Sequence, residues 1–341
     1  MARIQLDDVS FRYPGADADT LSGLRLDVAE GEAHALLGAS GAGKTTLLNL
    51  LSGILTPTAG RVLFDGVDVS NAPGRARSVA QVFQFPVLYE SLSVADNLAF
   101  PLRVKKIPAQ EIATRVEVIC DELEIAHLRQ RKPGSLSLFE KQLVAVGKAL
   151  VRPDVSVVLL DEPLTAVEPK IKWRLRQTLR KVQADLGVTM IYVTHDQTEA
   201  LTFADQVSVL TVDGILQTDS PEAIYRSPQH EFVGHFVGSP GMNFVPAEVL
   251  GVSAAERAGF RAEWAVLDPD GPIRGTVQRQ RLQGTRNGSG FGLTTLDTPH
   301  GLLCVRGEMP SSSLLGQTNG IRVLRYVAFE NKLKVGEGEL V

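Results

Sequence analysis

The chain has 341 residues, of which 44% are hydrophobic and 22% charged, so it can bury a large core and is long enough for two domains. Its formal net charge of −4 provides no attraction to polyanions, so we expect no nucleic-acid partner. No apolar run approaches the roughly 20 residues that span a bilayer, and the first ten residues alternate like a polar strand, unlike a signal peptide.

The first two thirds of the chain alternate between strand-like and helical segments. Predicted strands are Ile4–Val9, Leu24–Val28, Ala33–Leu37, Val62–Phe64, Val79–Phe83, Val155–Leu160, Thr189–Thr194 and Gln206–Thr211. The apolar run Val157–Leu160 is typical of a parallel strand covered on both faces. Asp161 and Glu162 follow it, at the sheet edge where such sheets bind ligands. The pattern predicts an α/β core.

A mostly helical stretch, residues 85–150, interrupts this alternation. Its clearest predicted helices are Ala109–Leu123 and Glu140–Val151, separated by a Pro-Gly break at Pro133. We interpret it as a helical subdomain inserted into a first domain of residues 1–235.

The remaining residues, 236–341, form short alternating segments separated by Gly, Pro, Asp and Asn. Predicted strands are Phe260–Val266, Arg274–Arg281, Gly288–Leu296, Leu302–Arg306, Ile321–Phe329 and Lys332–Val335. They predict a small all-β, OB-like barrel. No recognisable catalytic motif lies in this domain, which favours a regulatory or dimer-forming role.

Residues Gly38–Thr45 read Gly-Ala-Ser-Gly-Ala-Gly-Lys-Thr, the phosphate-loop pattern G-x-x-x-x-G-K-[ST], between a predicted strand and an apolar helix start. In such a loop the glycines let backbone N–H groups face phosphate oxygens, while Lys44 neutralises charge and the Thr45 hydroxyl ligates Mg²⁺. The sequence therefore predicts a nucleoside triphosphate site. The predicted contacts in this segment are Gly38, Ser40, Gly41, Gly43, Lys44, Thr45 and Thr46.

Six motifs follow one another in a fixed order: Tyr13, Gly38–Thr45, Gln84, Leu136–Gln142, Leu159–Glu168 and His195. Their order and spacing resemble the nucleotide-binding subunit of ATP-binding cassette (ABC) transporters over about residues 1–235. The tail from Gly238 resembles the barrel extension of the ATPase subunits of sugar and polyol importers. The resemblance implies a P-loop NTPase of the ABC cassette fold that binds ATP and Mg²⁺ and hydrolyses ATP.

The resemblance also implies residue roles. Tyr13 would stack on adenine, and Gln84 would sense Mg²⁺ and the attacking water. Asp161 would hold Mg²⁺, Glu162 would activate the lytic water, and His195 would contact the γ-phosphate. The implied metal-binding set is Thr45, Gln84 and Asp161.

The chain departs from the family in its signature loop. The family has Leu-Ser-Gly-Gly-Gln, which approaches ATP held by a partner subunit, whereas Leu136–Glu140 reads Leu-Ser-Leu-Phe-Glu. Leu138 and Phe139 place bulk where glycine permits close backbone approach. Ser137 and Glu140 still form an S-x-x-E capping box, but the carboxylate would repel a γ-phosphate. We predict that self-capping replaces phosphate capping here.

A second departure lies in the segment Leu164–Glu168, which ends in Val-Glu where the family has Leu-Asp. In the family this loop crosses the dimer interface, and the added methylene displaces its carboxylate. The residues that the chain contributes to its own site are intact. We therefore predict a heterodimer with a second ATPase subunit whose signature motif is intact.

The overall interpretation is an ATPase of a bacterial importer for a carbohydrate or polyol, with a glycerol-like solute as one candidate. Implied partners are two integral membrane permeases and, indirectly, a periplasmic or lipid-anchored solute-binding protein. The expected location is the cytoplasmic face of the inner membrane, as a peripheral subunit. Two alternatives stay open: a catalytically weak nucleotide-binding regulatory subunit, and a cytosolic ABC protein without a permease.

Overall fold

The computed structural model describes residues 2–165, 167–253, 255–286, 289–309 and 313–340. Two residues of the predicted strands and motifs, Ala166 and Gly288, lie outside the described residues. The chain divides into two compact units, Met1–Pro221 and Glu222–Val341. Within the described ranges, no helix combines the length and the apolar composition that crossing a membrane requires.

The first unit contains two sheets and a set of helices. In chain order its elements are β1 Ile4–Phe11, β2 Leu21–Val28, β3 Ala33–Leu37, α1 Lys44–Ser52, β4 Ala59–Phe64, β5 Val67–Asp68, β6 Val79–Val82, α2 Val94–Val104, α3 Ala109–Glu122, α4 Leu138–Leu150, β7 Val157–Asp161, α5 Pro169–Leu186, β8 Thr189–Thr194, α6 Gln197–Phe203, β9 Gln206–Thr211 and β10 Gly214–Asp219. One sheet has the strand order β2-β1-β4-β5, and the other has the order β10-β9-β3-β8-β7-β6. The predicted α/β core is confirmed.

The second of these sheets is parallel except for the β9–β10 hairpin. Side chains of β7 alternate between two cores: Val158 and Leu160 pack with the helices α2 to α4, and Val157 and Leu159 pack with α1 and β1. Burial on both faces explains the continuous apolar run in the sequence. Because β3, β6, β7 and β8 are parallel neighbours, the loops that follow them converge at one edge of the sheet.

The helical region contains α2, α3 and α4, and the two helices predicted there are confirmed with ends shifted by at most two residues. Their packing is tight at Gly147 of α4. A Cβ atom at this position would lie 2.9 Å from side-chain atoms of both Leu98 and Leu123. A larger residue would therefore require the Leu98 and Leu123 side chains to shift.

The second unit begins with two short helices and continues with strands. Its elements are α7 Pro221–Arg226, which starts at the boundary, α8 Glu231–Phe236, β11 Asn243–Pro246, β12 Arg257–Phe260, β13 Ala265–Leu267, β14 Ile273–Arg286, β15 Ser289–Thr298, β16 Gly301–Glu308, β17 Thr318–Val323, β18 Arg325–Glu330 and β19 Leu333–Glu339. Its strands pair into two sheets, β11-β12-β18-β19 and β13-β17-β14-β15-β16. The β character of the tail is confirmed, although its hydrogen bonds define two sheets where the sequence predicted one barrel.

Two predicted strands in this unit are each divided. Phe260–Val266 contains a 3₁₀ turn over Ala262–Trp264 between β12 and β13. Ile321–Phe329 contains β17 and β18, which belong to different sheets. Apolar alternation continues through both segments, so the sequence pattern contains no signal for the change of sheet.

Along the chain, the boundary between the two compact units falls between residues 221 and 222, whereas the sequence predicted a domain boundary at 235. The difference has a physical cause in Arg261, whose side chain is fully buried. Its guanidinium donates to the carbonyls of Tyr225 (3.0 Å from Nε), Gly234 (2.8 Å) and Val237. The buried guanidinium of Arg261 thus holds α7 and α8 against β12, the strand that ends just before Arg261.

Gln81 in β6 provides a test of packing in the first unit. Both amide atoms of its side chain are inaccessible, and neither has a hydrogen-bond partner among the described residues. Because an unpaired buried amide costs free energy, we expect Gln81→Met to raise the free energy of unfolding by about 1–2 kcal/mol. Urea denaturation of the full chain measures this change. Gln110→Met on the exposed face of α3 is the control, and a destabilised Gln81→Met would contradict the expectation.

Candidate active site

The phosphate-loop segment connects the end of β3 to α1. Gly43 precedes α1 with φ 88°, a left-handed conformation that favours glycine. A Cβ atom on Gly38 would lie 2.4 Å from the carbonyl oxygen of Leu210, so this position excludes any side chain. Lys44 Nζ donates to the carbonyls of Gly38 at 2.8 Å and Ala39 at 2.9 Å. The ammonium is therefore held within the loop, and the first turn of α1 contains no acidic residue that would repel an anion.

Tyr13 lies beside the same helix. Its ring meets Phe11 edge-on with centroids 4.8 Å apart, and its hydroxyl lies 3.1 Å from Thr46 Oγ1. The side chain remains 42% exposed, which leaves ring surface available to a ligand. The structure thus brings Tyr13 and Thr46 together, although Thr46 itself is buried.

Thr45 and Asp161 form the next part of the site. The Thr45 hydroxyl donates to Asp161 Oδ1 at 3.4 Å, because β7 ends beside the start of α1. Burial raises the pKa of Asp161, an effect that Thr45 and Lys44 partly oppose. Burial also lowers the pKa of Lys44, and Glu162 and Asp161 oppose that shift. A hydroxyl and a carboxylate are the oxygen ligands that Mg²⁺ prefers, so these residues fit that ion.

Glu162 and His195 meet at the same sheet edge. His195 Nδ1 lies 3.1 Å from Glu162 Oε1, and the Thr165 hydroxyl donates to Glu162 Oε2 at 3.0 Å. Burial alone would raise the pKa of Glu162, but the hydrogen bonds from His195 and Thr165 outweigh it and lower this pKa. The carboxylate is therefore ionised at neutral pH and can accept a proton. The Glu162 backbone has φ 45°, and its N–H donates to the Val193 carbonyl at 3.0 Å.

Gln84 lies two residues beyond the end of β6, whose last residue, Val82, pairs with Leu160 of β7. Gln84 therefore follows the same sheet edge as Asp161. The side chain is half-buried, and no described residue forms a hydrogen bond with it. Its amide is thus free to bind a ligand or a water molecule.

Comparisons with known proteins identify the family to which this chain belongs. A family model described as "ABC transporter" matches residues 21–165. The trehalose/maltose import ATP-binding protein MalK of Thermococcus litoralis is 40% identical to this chain over 267 residues, which cover 76% of this chain and 71% of that protein. This chain belongs to the ABC transporter family. As an ABC ATP-binding protein of the importer type, it is an ATPase.

Two further similarities define how far the family relationship extends. The sn-glycerol-3-phosphate import ATP-binding protein UgpC of Ruegeria pomeroyi is 40% identical over 277 residues, covering 81% of this chain and 77% of that protein. This alignment is longer than the first unit and therefore includes part of both units. The solved structure of cbiO1 from Clostridium perfringens, described as part of the ABC transporter complex cbiONQ, matches with a TM-score of 0.61 and 30% identity, covering 65% of this chain and 89% of that chain.

The segment that corresponds to the ABC signature loop begins α4. Ser137 caps the helix: the Glu140 N–H donates to Ser137 Oγ at 3.3 Å, and the Ser137 N–H donates to Glu140 Oε2 at 2.6 Å. The Ser137 hydroxyl also donates to Glu140 Oε2, at 2.8 Å. The predicted capping box is confirmed. The hydroxyl and the backbone N–H of Ser137 therefore both donate to the Glu140 carboxylate of the same chain.

The side chains that replace the two ABC glycines differ in their surroundings. Leu138 is exposed. Phe139 packs against the core cluster of the helical region, and the guanidinium of Arg174 lies 5.8 Å from its ring centroid. Burial raises and hydrogen bonding from Ser137 lowers the pKa of Glu140, with a net decrease, so the capping carboxylate is charged. No hydrogen bond or ion pair connects Ser137 or Glu140 to Gly38–Thr46 among the described residues.

The segment 164–168, which follows Glu162 and Pro163, is described at every residue but Ala166. Leu164 and Val167 are buried, whereas Glu168 is exposed and makes no capping hydrogen bond through its side chain at the start of α5. The carboxylate that departs from the family pattern thus faces solvent.

The sequence did not predict three residues that contact Glu162 or the helices beside the site. Thr165 donates to Glu162, and its position three residues further along the chain is the only local signal for this contact. Lys172 and Glu199 form an ion pair at 3.0 Å beside the segment that contains His195. The sequence contains no signal for that pair, because 27 residues separate its members.

Proposed function

We propose that the chain hydrolyses ATP at the edge where β3, β6, β7 and β8 end. The contact between Glu162 and His195 next to the Lys44 loop is the observation that supports this proposal most directly. Glu162 is ionised and would accept a proton from water during in-line attack on the γ-phosphate. His195 would hold the γ-phosphate, and its hydrogen bond would orient the Glu162 carboxylate. Tyr13 would stack on the adenine ring.

Mg²⁺ is the proposed metal. Thr45 and Asp161 would hold it, and Gln84 would orient toward it and toward the lytic water. When bound, the ion would neutralise charge on the phosphate oxygens. Lys44 would add a second positive charge close to the same oxygens, since its ammonium already lies within the loop.

We further propose that the ATPase energises import of a carbohydrate or polyol, with a glycerol-like solute as one candidate. Support comes from the relatives, whose names describe import of trehalose and maltose in one case and of sn-glycerol-3-phosphate in the other. The proposed partners are two integral membrane permeases and, indirectly, a periplasmic or lipid-anchored solute-binding protein. The chain would then be a peripheral subunit on the cytoplasmic face of the inner membrane.

The proposed permease contact lies in residues 85–97. Phe85 and Val87 are large apolar side chains that are 65% and 62% exposed. The segment is nevertheless anchored, because Lys148 of α4 donates to the Val87 carbonyl at 2.9 Å and lies 4.8 Å from the Tyr89 ring centroid. An exposed apolar surface on a fixed backbone is suited to receive a helix of another protein.

We propose that the functional dimer pairs this chain with a different ATPase subunit whose signature motif is intact. The capping box supports this proposal, because the Ser137 N–H and hydroxyl already donate to Glu140 and are not available to a phosphate. Leu138 adds bulk at the same helix start. One composite site would combine this chain's loop with the partner's signature and be competent. The other would combine the partner's loop with Ser137–Glu140 and be weak.

A catalytically weak regulatory subunit is the second candidate, and the Leu138–Phe139 replacement is the observation that favours it. The ionised Glu162 favours hydrolysis. To separate the candidates, the chain is tagged, isolated with its membrane partners, and assayed for ATP turnover. We expect two permeases and a second ATPase with Leu-Ser-Gly-Gly-Gln to co-purify. An ATP-dependent homodimer of the chain alone, with turnover equal to that of the complex, would refute the heterodimer.

Restoring the signature glycines is expected to activate the weak site. In a complex whose chain carries Glu162→Gln, the remaining turnover comes from the partner's loop facing Ser137–Glu140. Adding Leu138→Gly, Phe139→Gly and Glu140→Gln should raise this turnover about tenfold, equivalent to about 1.4 kcal/mol of barrier. The control, Leu138→Ala with Phe139→Ala, removes bulk but keeps Glu140 and a normal backbone. Equal rates in the control and in the triple variant would refute the proposed role of the carboxylate and the glycines.

A further inference from the structure

A buried carboxylate lies directly behind His195. Glu199 in α6 is only 2% exposed, yet it accepts three hydrogen bonds from side chains. The Thr194 hydroxyl donates to Oε2 at 2.8 Å, the Tyr192 hydroxyl donates to Oε2 at 3.0 Å, and Lys172 Nζ donates to Oε1 at 3.0 Å. A buried charge is tolerated only when it is paired and hydrogen-bonded in this way.

The contacts of Glu199 fix both neighbours of His195. Thr194, one residue before it, gives its proton to Glu199 and accepts the Asp196 N–H at 2.9 Å. Asp196, one residue after it, caps α6 by accepting the N–H groups of Thr198 and Glu199. The backbone on either side of His195 is therefore held by α6, which fixes the point from which the imidazole reaches Glu162.

Lys172 connects this arrangement to another part of the site. It lies in the first turn of α5, where its N–H donates to the Glu168 carbonyl at 3.2 Å. Glu168 ends the segment 164–168, and Thr165 in that segment donates to Glu162. The contacts thus form a closed circuit. It passes from Glu162 to His195, through the neighbouring Thr194 to Glu199 and Lys172 of α5, and returns along the chain to Thr165, which contacts Glu162.

We propose that the Lys172–Glu199 ion pair positions His195 and couples it to the segment 164–168. This proposal rests on the proposed function of Glu162 and His195 in hydrolysis. Neither member of the pair touches a reacting atom, so both are positioning residues. A displacement of the segment 164–168 at a subunit interface would move α5 and, through Lys172, would shift His195 relative to the γ-phosphate. An error of about 1 Å in a catalytic group can cost roughly 100-fold in rate.

The test uses the full chain in its complex with Lys172→Met, and its unfolding curve is recorded beside the parent's, because the variant leaves the buried Glu199 carboxylate without its cation. We expect kcat to fall about tenfold while KM for ATP changes less than twofold, because Lys44 and Tyr13 are not affected. Lys172→Arg retains the charge and should recover most of kcat. Lys170→Met removes the same charge from an exposed position on α5 and should have no effect.

A spectroscopic measurement separates positioning from general destabilisation. In the full chain with labelled histidine, the His195 imidazole resonance is assigned by its loss in His195→Ala. We expect this resonance to shift in Lys172→Met and in Glu199→Gln but not in Lys170→Met. An unshifted resonance or a normal kcat in Lys172→Met, combined with an inactive Glu162→Gln, would overturn the positioning role alone. Normal turnover in Glu162→Gln would overturn the proposed hydrolytic roles and, with them, this coupling.

Discussion

Glu162→Gln is expected to lower ATP turnover about 1,000-fold and to leave the affinity for ATP within twofold of the parent. The carboxylate is ionised and points to His195, so it can act as the general base, a role that contributes typically 10²–10⁴-fold. Glutamine keeps the size of the side chain and can still accept from Thr165, but it cannot take a proton from water. Single-turnover hydrolysis by the complex, with binding measured separately, checks both parts.

The matched control for this prediction is Glu111→Gln. This variant makes the same chemical change on the exposed surface of α3, where Glu111 forms an ion pair with Arg115, four residues further along the helix. Surface pairs of this kind contribute little, so activity and stability should be unchanged. If Glu162→Gln retained more than a tenth of the parent turnover, a different base would have to be sought. The proposal that this chain contributes the competent site would then fail.

Lys44→Met is expected to weaken ATP binding about 100-fold and to abolish turnover. Lys44 is the buried ammonium of the phosphate loop, and its Nζ lies within 3 Å of two loop carbonyls. Hydrogen bonds to charged groups contribute about 1.5–3 kcal/mol, and each 1.4 kcal/mol is tenfold in affinity. Methionine preserves the apolar stem but offers no charge. Equilibrium titration with ATP and Mg²⁺ measures the change.

Lys170→Met again supplies the control, because it removes one positive charge from an exposed site on α5. Parent affinity in this variant would show that overall charge is not responsible. Unfolding curves of Lys44→Met must also be recorded, since the variant leaves the Gly38 and Ala39 carbonyls without their present donor. A folded Lys44→Met with normal affinity would contradict the assignment of Gly38–Thr45 as a phosphate loop.

Much of the first unit follows from its sequence because local chemistry and tertiary contacts agree there. The run Val157–Leu160 predicts a buried strand, and it forms β7, which lies between β8 and β6 in the parallel sheet. Once β7 and β8 are parallel neighbours, Asp161 and His195 must lie at the same edge. The capping box at Ser137 is likewise encoded within four residues, and it forms as predicted.

Other features depend on contacts that no sequence period encodes. Lys172 and Glu199 are remote in the chain, and their pairing requires α5 and α6 to pack together. Arg261 looks like an ordinary charged residue in a strand region, yet it is fully buried under carbonyls of α7 and α8. The hairpin strand β10 was not predicted either, because four of its six residues are only partly buried and their alternation is weak.

The backbone of Glu162 is left-handed, with φ 45°, a conformation that is unfavourable for a residue with a side chain. A residue with a side chain in such a conformation costs of the order of 1–3 kcal/mol, whereas Gly adopts it freely and Asn more readily than Glu. The proposed role of Glu162 in hydrolysis and the thermodynamic stability of the chain therefore make opposite demands on this residue. A substitution to Gly or Asn here would relieve the backbone conformation but would remove the carboxylate that the proposed hydrolysis needs.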